Sequence, residues 1–443
     1  MSHQPPERTS ANPRRPLGRS RRFLFFAIQA ALLYLVTELL VFLICGIFYQ
    51  QILWIGSLQR DRASLLRELE NRQSVVLSVH PYVGYTEAPP TAYGGDPNGR
   101  PRDYPVNPFG YADQISPIQV RTPGKLIVGV MGGSVAWSFH MHGTSRLKTA
   151  LQKEPEFAGK DLVFVNLAVS GYKQPQQLMT LNYMLALGAE FDVIINIDGF
   201  NEAVLYEAEN EAHHDFPAFP RSWHARVATS GPRVAKYVGR LEHQVEIRKD
   251  LARDYSTTPW RYSPLCNILW WIFDTRAEIR MNQLQDEYRK DKSSTPNYIV
   301  EGPGWTFATR EELYRHLVSL WKNCSIQLNK ICVSNTIRYY HFLQPNLVLS
   351  GSKPLTKSEQ FMAEHRDEMY RPGITYGYPL MIQAGSDLKA KGERFTDLTR
   401  MFDGHKEAIY SDICHFFQAG NDVLADRVAE AILKDLRMTD GGR

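Results

Sequence analysis

Apolar runs in the middle of the chain alternate with segments whose apolar residues recur at helical spacing. Leu126–Trp137, Asp161–Leu167 and Phe191–Ile197 each contain such a run, and Gln174–Leu187 has a helical pattern. Short apolar runs rich in Val and Ile are typical of strands buried on both faces. The alternation predicts an α/β fold, a three-layer sandwich whose central parallel sheet has right-handed crossovers and helices on both faces.

The alternation stops after the third strand and resumes about a hundred residues later. Arg310–Asn335 has helical spacing, Arg338–Leu343 is predicted as the fourth strand, and Asn421–Leu436 is predicted as an amphipathic final helix. Between the two parts, residues 206–305 are predicted as a helical insertion. Pro354–Pro379 has no clear period and is predicted as irregular surface.

The N-terminal region has a different pattern. Residues 23–48 are almost continuously apolar, and as a helix they would extend for about 39 Å, enough to cross roughly 30 Å of hydrocarbon. No small-residue cleavage site is evident after them, so we predict a retained transmembrane signal anchor. Residues 49–79 are predicted as a stalk helix. Residues 80–443 are predicted as the functional domain that contains the insertion.

The charges on either side of this helix predict its orientation in the membrane. Residues 1–22 form a basic tail with six arginines and one glutamate, whereas the charges after the helix are mixed. Positive residues favour the cytoplasmic side, so we expect a single-pass protein with a cytoplasmic N-terminus and an extracytoplasmic domain, periplasmic or extracellular. The chain's net charge of +4 comes from this tail, so no nucleic-acid partner is expected.

Three features of the chain have alternative interpretations. Glu38 interrupts the anchor; it would either pair with another helix or sit in an imperfect span, and we favour the second. Ile268–Phe273 is interpreted as the buried face of a cap helix, with a membrane-binding surface or an acyl pocket as the alternative. Core packing is also preferred over sugar stacking for the aromatic residues of the insertion, which are Trp223, Trp260, Tyr262, Trp270, Trp271 and Trp305.

The first strand delivers a serine to the edge of the predicted sheet where α/β proteins place chemistry. Ser134 follows Gly132 and Gly133. To attack at neutral pH its hydroxyl needs an adjacent base, and Asp412 and His415 would be neighbours in a helical turn before the last helix. His415 could then take the proton while Asp412 orients it. The alternative is structural, with close-packing glycines and a serine that caps a helix.

Two further loops place hydrogen-bond donors at the same edge. Gly171 follows the second strand and Asn201 follows the third. Each is separately consistent with an ordinary turn or cap. Together with the N–H of Ser134 they would supply three donors for one oxyanion.

In combination these segments resemble the SGNH/GDSL hydrolase family, which is named for its Ser, Gly, Asn and His blocks. The similarity covers roughly residues 124–202 and 338–436, and Asn107–Tyr111 is similar to the lead-in of a Gly-Gly-Ser subset. Gly133 replaces the Asp of many members and Glu202 replaces the usual Asp, differences that bear on substrate class. The matching blocks are Gly132-Gly133-Ser134, Gly171, Gly199-Phe200-Asn201-Glu202 and Asp412-Ile413-Cys414-His415.

The resemblance implies a role for each site residue. Ser134 would be the nucleophile, His415 the base and Asp412 its orienter, with an oxyanion hole from the N–H groups of Ser134 and Gly171 and the Asn201 side chain. The implied activity is that of a serine esterase that removes acyl groups from envelope glycans or lipids through an acyl-enzyme. The alternatives are an O-acyltransferase that uses the same residues and a non-catalytic glycan-binding scaffold.

No cofactor is expected, and no metal site. The partners expected from the sequence are the membrane, through the N-terminal helix, and an ester or glycan substrate. The histidines outside the predicted site are interpreted as surface or pocket-rim residues rather than metal ligands; they include His140, His142, His213 and His214.

Overall fold

The chain forms two compact units. The structure, a computed structural model, describes residues 19–48, 54–72, 77–87, 104–227, 232–290 and 298–440. The smaller unit combines residues 1–72 with residues 241–284, and the larger combines residues 73–240 with residues 285–443. The N-terminal region and the middle of the predicted insertion therefore belong to one unit, a grouping that the sequence pattern did not predict.

A parallel sheet organises the larger unit. Within the described residues an antiparallel pair, β1 (Leu77–His80) and β2 (Gly84–Glu87), precedes a sheet of five strands. All neighbouring strands of that sheet are parallel, in the order β4-β3-β5-β6-β7. Its strands are β3 (Lys125–Gly132), β4 (Asp161–Asn166), β5 (Val193–Asp198), β6 (Arg338–Leu343) and β7 (Phe395–Asp397).

Helices make up most of the rest of the described chain. Their bounds are α1 (Arg19–Phe48), α2 (Trp54–Arg72), α3 (Ser134–His142), α4 (Thr144–Leu151), α5 (Gln176–Ala186), α6 (Phe200–Leu205), α7 (Trp223–Arg226), α8 (Pro232–Thr257), α9 (Pro264–Lys290), α10 (Tyr298–Glu301), α11 (Arg310–Ser334), α12 (Lys357–His365), α13 (Tyr378–Ala390) and α14 (Gln418–Asp440).

Helices cover both faces of the sheet. On one face, Val130 of β3 shares a core cluster with Phe139 of α3 and Val428 of α14. On the other, Ile127 of β3 shares a cluster with residues of α5 and α11 such as Leu328. Side chains on a strand alternate between faces, so β3 supplies both clusters. The prediction of a three-layer α/β sandwich with a parallel sheet is confirmed.

The prediction of an irregular segment over Pro354–Pro379 is wrong. This stretch contains α12, which begins with a capping box in which Thr356 and Glu359 bond each other's backbone N–H groups. A Thr followed three residues later by Glu is a sequence signal for a helix start, and it was available here. The edge strand β7 was also not predicted, because three residues are too few to establish a period.

The smaller unit is helical in its described residues. Trp270 of α9 is buried in a cluster with Leu58 of α2, and Phe42 of α1 packs against them. The Arg62 guanidinium lies 5.1 Å from the centre of the Trp270 ring and donates to Asn267 Oδ1 at 2.9 Å. Ile268 and Trp270 of the apolar cluster of α9 therefore pack on α1 and α2, whereas Phe273 of the same cluster is exposed.

Burial within the insertion is uneven. Trp270 is buried, as the core interpretation predicted, whereas Trp271 next to it is 44% exposed. Trp260, Tyr262 and Trp305 are also exposed, so the core interpretation is wrong for them. Hydrophobic residues at the surface are informative when they gather in one place, and Trp260 and Tyr262 lie in the same short turn.

The interpretation of Glu38 as an unpaired residue in an imperfect span is also wrong. Phe23–Ile47 of α1 is long and apolar enough to cross a membrane. Glu38 lies in this segment, and it accepts hydrogen bonds from the Ser263 hydroxyl and, at 2.9 Å, from the Leu265 N–H. The carboxylate is thus paired with the start of α9.

Candidate active site

A tight turn at the end of β3 places Ser134 at the carboxyl edge of the sheet. Gly132 has φ +140°, and a Cβ there would lie 2.0 Å from the Ile197 carbonyl oxygen of the neighbouring strand. Only glycine tolerates this approach. Gly133 is the N-cap of α3 and Ser134 its first residue, so the alternative in which Ser134 caps the helix is not what the structure has.

Asp412 and His415 lie in a loop before α14 and not in the helical turn predicted from the sequence. Asp412 Oδ1 accepts from the Cys414 N–H at 2.9 Å and from the His415 N–H at 2.8 Å. An Asp side chain that bonds the backbone shortly after itself is the usual Asx-turn arrangement. A bridge between Tyr410 and Phe416 closes this loop, which fixes His415 relative to Asp412.

Ser134, His415 and Asp412 form one hydrogen-bonded chain, called the edge relay below. His415 Nε2 lies 2.6 Å from Ser134 Oγ, and His415 Nδ1 lies 2.6 Å from Asp412 Oδ2. The His415 and Asp412 side chains are 36% and 39% exposed, so solvent and substrate can reach them. A neutral imidazole that donates from Nδ1 to the carboxylate can accept the serine proton at Nε2.

Asp412 and His415 stabilise each other's charged forms. Burial raises the pKa of Asp412, but the hydrogen bond and charge of His415, with two backbone donors, hold it well below its usual range. Burial lowers the pKa of His415, while Cys414 and Asp412 raise it, and the net direction is upward. Because burial also raises the pKa of the Cys414 thiol, the negative charge beside His415 at neutral pH is that of Asp412.

The Asn201 side chain lies beside the serine turn. Its Nδ2 donates to the Tyr172 carbonyl at 2.7 Å, and a Cβ on Gly133 would lie 2.3 Å from the same nitrogen. Gly171 precedes Tyr172 and has φ +80°. The structure thus brings Asn201 and the Gly171 loop to the turn that carries Ser134. It also gives a physical reason for glycine at position 133, where a larger residue would displace the Asn201 amide.

Glu202, noted from the sequence only as a departure from the family pattern, joins two loops of the site. Its carboxylate accepts from the Gly199 N–H at 2.8 Å, from the Gln174 N–H at 2.9 Å and from Gln177 Nε2 at 3.0 Å. Burial and the charge of Asp198 raise the pKa of Glu202 to about 8. The helix start that carries Asn201 is thereby tied to the loop that follows Gly171.

A second Ser-His-Asp chain lies inside the same unit and is called the buried relay below. It consists of Ser325, His341 and Asp198, with 2.8 Å from Ser325 Oγ to His341 Nδ1 and 2.8 Å from His341 Nε2 to Asp198 Oδ1. Trp321 Nε1 also donates to Asp198 Oδ1 at 2.7 Å. Sequence reasoning missed this set, since its members come from three elements and share no motif.

One cluster in the described residues has the spacing of a metal site, and it overlaps the edge relay. Ligand atoms of Asp412, Cys414 and His415 lie within 4.8 Å of one another. Both ring nitrogens of His415 already have partners, in Ser134 and Asp412. Elsewhere His140 Nε2 lies 3.3 Å from Asp113, and His213 stacks on another histidine.

Comparisons with known proteins add little to this geometry. No protein-family model and no curated protein match the chain. Among solved structures, an acetyl xylan esterase is similar over 70% of this chain and 99% of its own, with 10% identity and a TM-score of 0.33. An alpha/beta hydrolase enzyme from the metagenome of Lake Arreo, Spain, is similar over 70% and 96%, with 12% identity and a TM-score of 0.32. At these scores the function rests on the geometry of the site.

Proposed function

We propose that this chain is a membrane-anchored serine ester hydrolase of the SGNH type. The observation that carries the proposal is the edge relay, in which two contacts of 2.6 Å connect a serine hydroxyl, an imidazole and a carboxylate. Its position at the carboxyl edge of a parallel sheet, with nearby donors, meets the requirements for nucleophilic catalysis by serine. The His341–Asp198 pair has a similar distance, 2.8 Å, but its side chains are only 2% and 1% exposed, so it lacks this access to solvent.

In the first half of the proposed reaction an acyl group moves to the enzyme. His415 Nε2 takes the proton of Ser134 Oγ as this oxygen attacks the ester carbonyl carbon. The negative charge that develops on the carbonyl oxygen is stabilised by the N–H groups of Ser134 and Gly171 and by the Asn201 amide. The tetrahedral intermediate then collapses, His415 gives its proton to the departing alcohol, and the acyl group remains on Ser134.

In the second half water releases the acyl group. His415 removes a proton from water, the hydroxyl oxygen attacks the acyl carbon, and collapse returns the proton to Ser134 with release of a carboxylic acid. Asp412 keeps the imidazole in the required tautomer and stabilises the imidazolium in both halves. A sugar hydroxyl that replaced water in this step would make the same residues an acyltransferase.

The apolar helix α1 bears on where the proposed enzyme lies. We place the N-terminus in the cytoplasm, Phe23–Ile47 across the membrane and the larger unit outside, because the basic residues precede the apolar helix. Esters of envelope glycans or lipids would be within reach of an enzyme held there. These are the substrates we propose.

The test uses the full-length protein in detergent micelles. A fluorophosphonate probe should label the wild-type chain at Ser134, as mapped by mass spectrometry, and should not label Ser134→Ala. A panel of esters from acetyl to long acyl then defines the acyl length, and product analysis with and without a glycan acceptor separates hydrolysis from transfer. A chain that does not react with the probe, or a label that persists in Ser134→Ala, contradicts the proposal.

A further inference from the structure

The apolar helix α1 has a buried carboxylate within its membrane-length segment. Glu38 is only 9% exposed and lies about 13 Å before Ile47 along the helix, at about 1.5 Å per residue. A charge at this depth is costly unless it has partners within the protein. The groups that pair with it therefore share its level along α1.

Those partners come from the turn between α8 and α9, residues 258–263, and from the start of α9. The Ser263 hydroxyl and the Leu265 N–H both donate to Glu38. On the other side of the turn, Gln59 Nε2 of α2 donates to the Arg261 carbonyl at 2.6 Å. Contacts to α1 and α2 fix the turn at the level of Glu38, well before the C-terminal end of the apolar segment.

From this level α9 runs in the same direction as α1. Residues near the start of α9 contact Glu38, whereas Trp270, further along, packs in one cluster with Phe42 and Cys45, which lie further along α1. The turn is consequently the end of the α8–α9 pair that lies deepest along the anchor. Any bilayer around α1 would reach the turn before the rest of the pair.

The exposed side chains of the turn are those that favour a membrane interface. Trp260 is 57% and Tyr262 is 66% exposed, and the Arg261 guanidinium lies 4.6 Å from the centre of the Tyr262 ring. Trp and Tyr concentrate where headgroups meet acyl chains, and Arg extends its charge to the phosphates there. At the same level of α1, Leu39 and Leu40 are also exposed.

We propose that the α8–α9 turn is a lipid contact in which Trp260 and Tyr262 insert at the boundary between headgroups and acyl chains. Arg261 meets the lipid phosphates, and Glu38 fixes the turn to the anchor at that depth. The partner is the phospholipid leaflet on the side of the C-terminal end of α1. The inference depends on the crossing of the membrane by α1, which is part of the proposed function, and it ends the hydrocarbon-crossing part of the helix at the level of Glu38 instead of at Ile47. From Arg19, where α1 begins, to Glu38 the helix is about 29 Å long at about 1.5 Å per residue, close to the roughly 30 Å of hydrocarbon.

The experiment uses the full-length protein in nanodiscs of phosphatidylcholine and phosphatidylglycerol. An environment-sensitive fluorescent amino acid replaces Trp260 or, as the control, Ile279, an exposed residue of α9. The control lies about 24 Å further along the helix than Ser263, at about 1.5 Å per residue. Lipids with a nitroxide on the acyl chain should quench position 260 strongly and position 279 little. Aqueous iodide should quench position 260 several-fold less than position 279.

The possible outcomes distinguish failure of the turn contact from failure of the anchor. If sodium carbonate leaves the chain in the membrane but iodide quenches both positions equally and nitroxide lipids quench neither, the turn contact is wrong and the anchor stands. If carbonate releases the chain, the anchor and the turn contact are both overturned. Fluorophosphonate labelling of Ser134 reports on the proposed chemistry independently of either result.

Discussion

The larger unit contains two Ser-His-Asp chains with similar distances and opposite surroundings. The contacts are 2.6 Å in the edge relay and 2.8 Å in the buried relay. In the edge relay the imidazole and carboxylate are 36% and 39% exposed, and in the buried relay they are 2% and 1% exposed. Hydrogen-bond distance alone therefore does not identify a nucleophile.

What separates the two relays is the position of the serine. Ser134 begins a helix directly after a strand and next to the Asn201 amide, whereas Ser325 lies within α11 and is fully buried. Asp198 also accepts from Asn196 and Trp321, so its bonds join β5, β6 and α11. A buried hydrogen-bond network specifies and rigidifies a core, while a partly exposed relay at a sheet edge can meet a substrate.

Replacing each serine in turn should distinguish the two relays most clearly. Ser134→Ala should lower kcat for a short-chain aryl ester by about 10³- to 10⁶-fold, because the nucleophile is lost. Ser325→Ala should keep the activity of the folded protein but lower its stability by about 1–3 kcal/mol, since the buried His341 loses a partner. Initial rates and urea unfolding of both variants check this. Loss of activity in folded Ser325→Ala would remove the distinction between the relays.

The two aspartates provide the next contrast. Asp412→Asn should lower kcat by about 10⁴-fold, because the imidazole loses its orienting charge. His415 must be neutral to act as a base, so kcat/KM rises as pH rises through its pKa. Asp412 raises that pKa, and its removal should therefore move the acidic limb of the pH profile to lower pH.

Asp198→Asn is the matched control for this shift. It should destabilise the fold, because the buried bonds from Trp321 and His341 converge on that carboxylate. In the folded variant the acidic limb should stay where it is in the wild type. A limb that does not move in Asp412→Asn, or that moves equally in Asp198→Asn, argues against His415 as the base.

The oxyanion donors should give a smaller effect. Asn201→Ala should lower kcat by about 10²- to 10³-fold if its amide faces the developing charge. Gly133→Ala should act in the same direction, because the new Cβ would lie 2.3 Å from the Asn201 nitrogen and displace it. KM should change much less than kcat in both. Wild-type rates in Asn201→Ala would exclude this side chain from the oxyanion hole.

The sheet and the edge relay could be predicted from the sequence because both have local signals. Strands β3 to β6 are apolar runs with clear ends, and each proposed site residue follows a strand or precedes the last helix. The buried relay had no such signal, because Asp198, Ser325 and His341 meet only after the sheet forms. The pairing of Glu38 with Ser263 joins residues that are distant in sequence. Tertiary pairing of this kind leaves no period and no fixed spacing in one sequence.

The smallest expected effect concerns Glu202, which feels the charge of Asp198 in the buried relay and directly follows Asn201. Its pKa is raised to about 8 in the folded state, against about 4.3 for an unfolded Glu. Between these values the folded state binds more protons, so this group makes stability fall as pH rises from about 5 to 8. Glu202→Gln has no titrating group there. Its urea midpoint should fall less than that of the wild type over the same window.

Glu359 is the control with the opposite sign. Burial raises its pKa, but Lys353 and backbone donors lower it to about 2. The stability that it contributes is present above the unfolded pKa of about 4.3 and is lost as pH falls toward 2. Glu359→Gln should consequently leave the slope of the urea midpoint against pH unchanged between pH 5 and 8, even if it lowers the urea midpoint at every pH. If the urea midpoint depends equally on pH in the wild type and in Glu202→Gln, the three donors around Glu202 keep it ionised. The loops of the site would then be joined by a charged group.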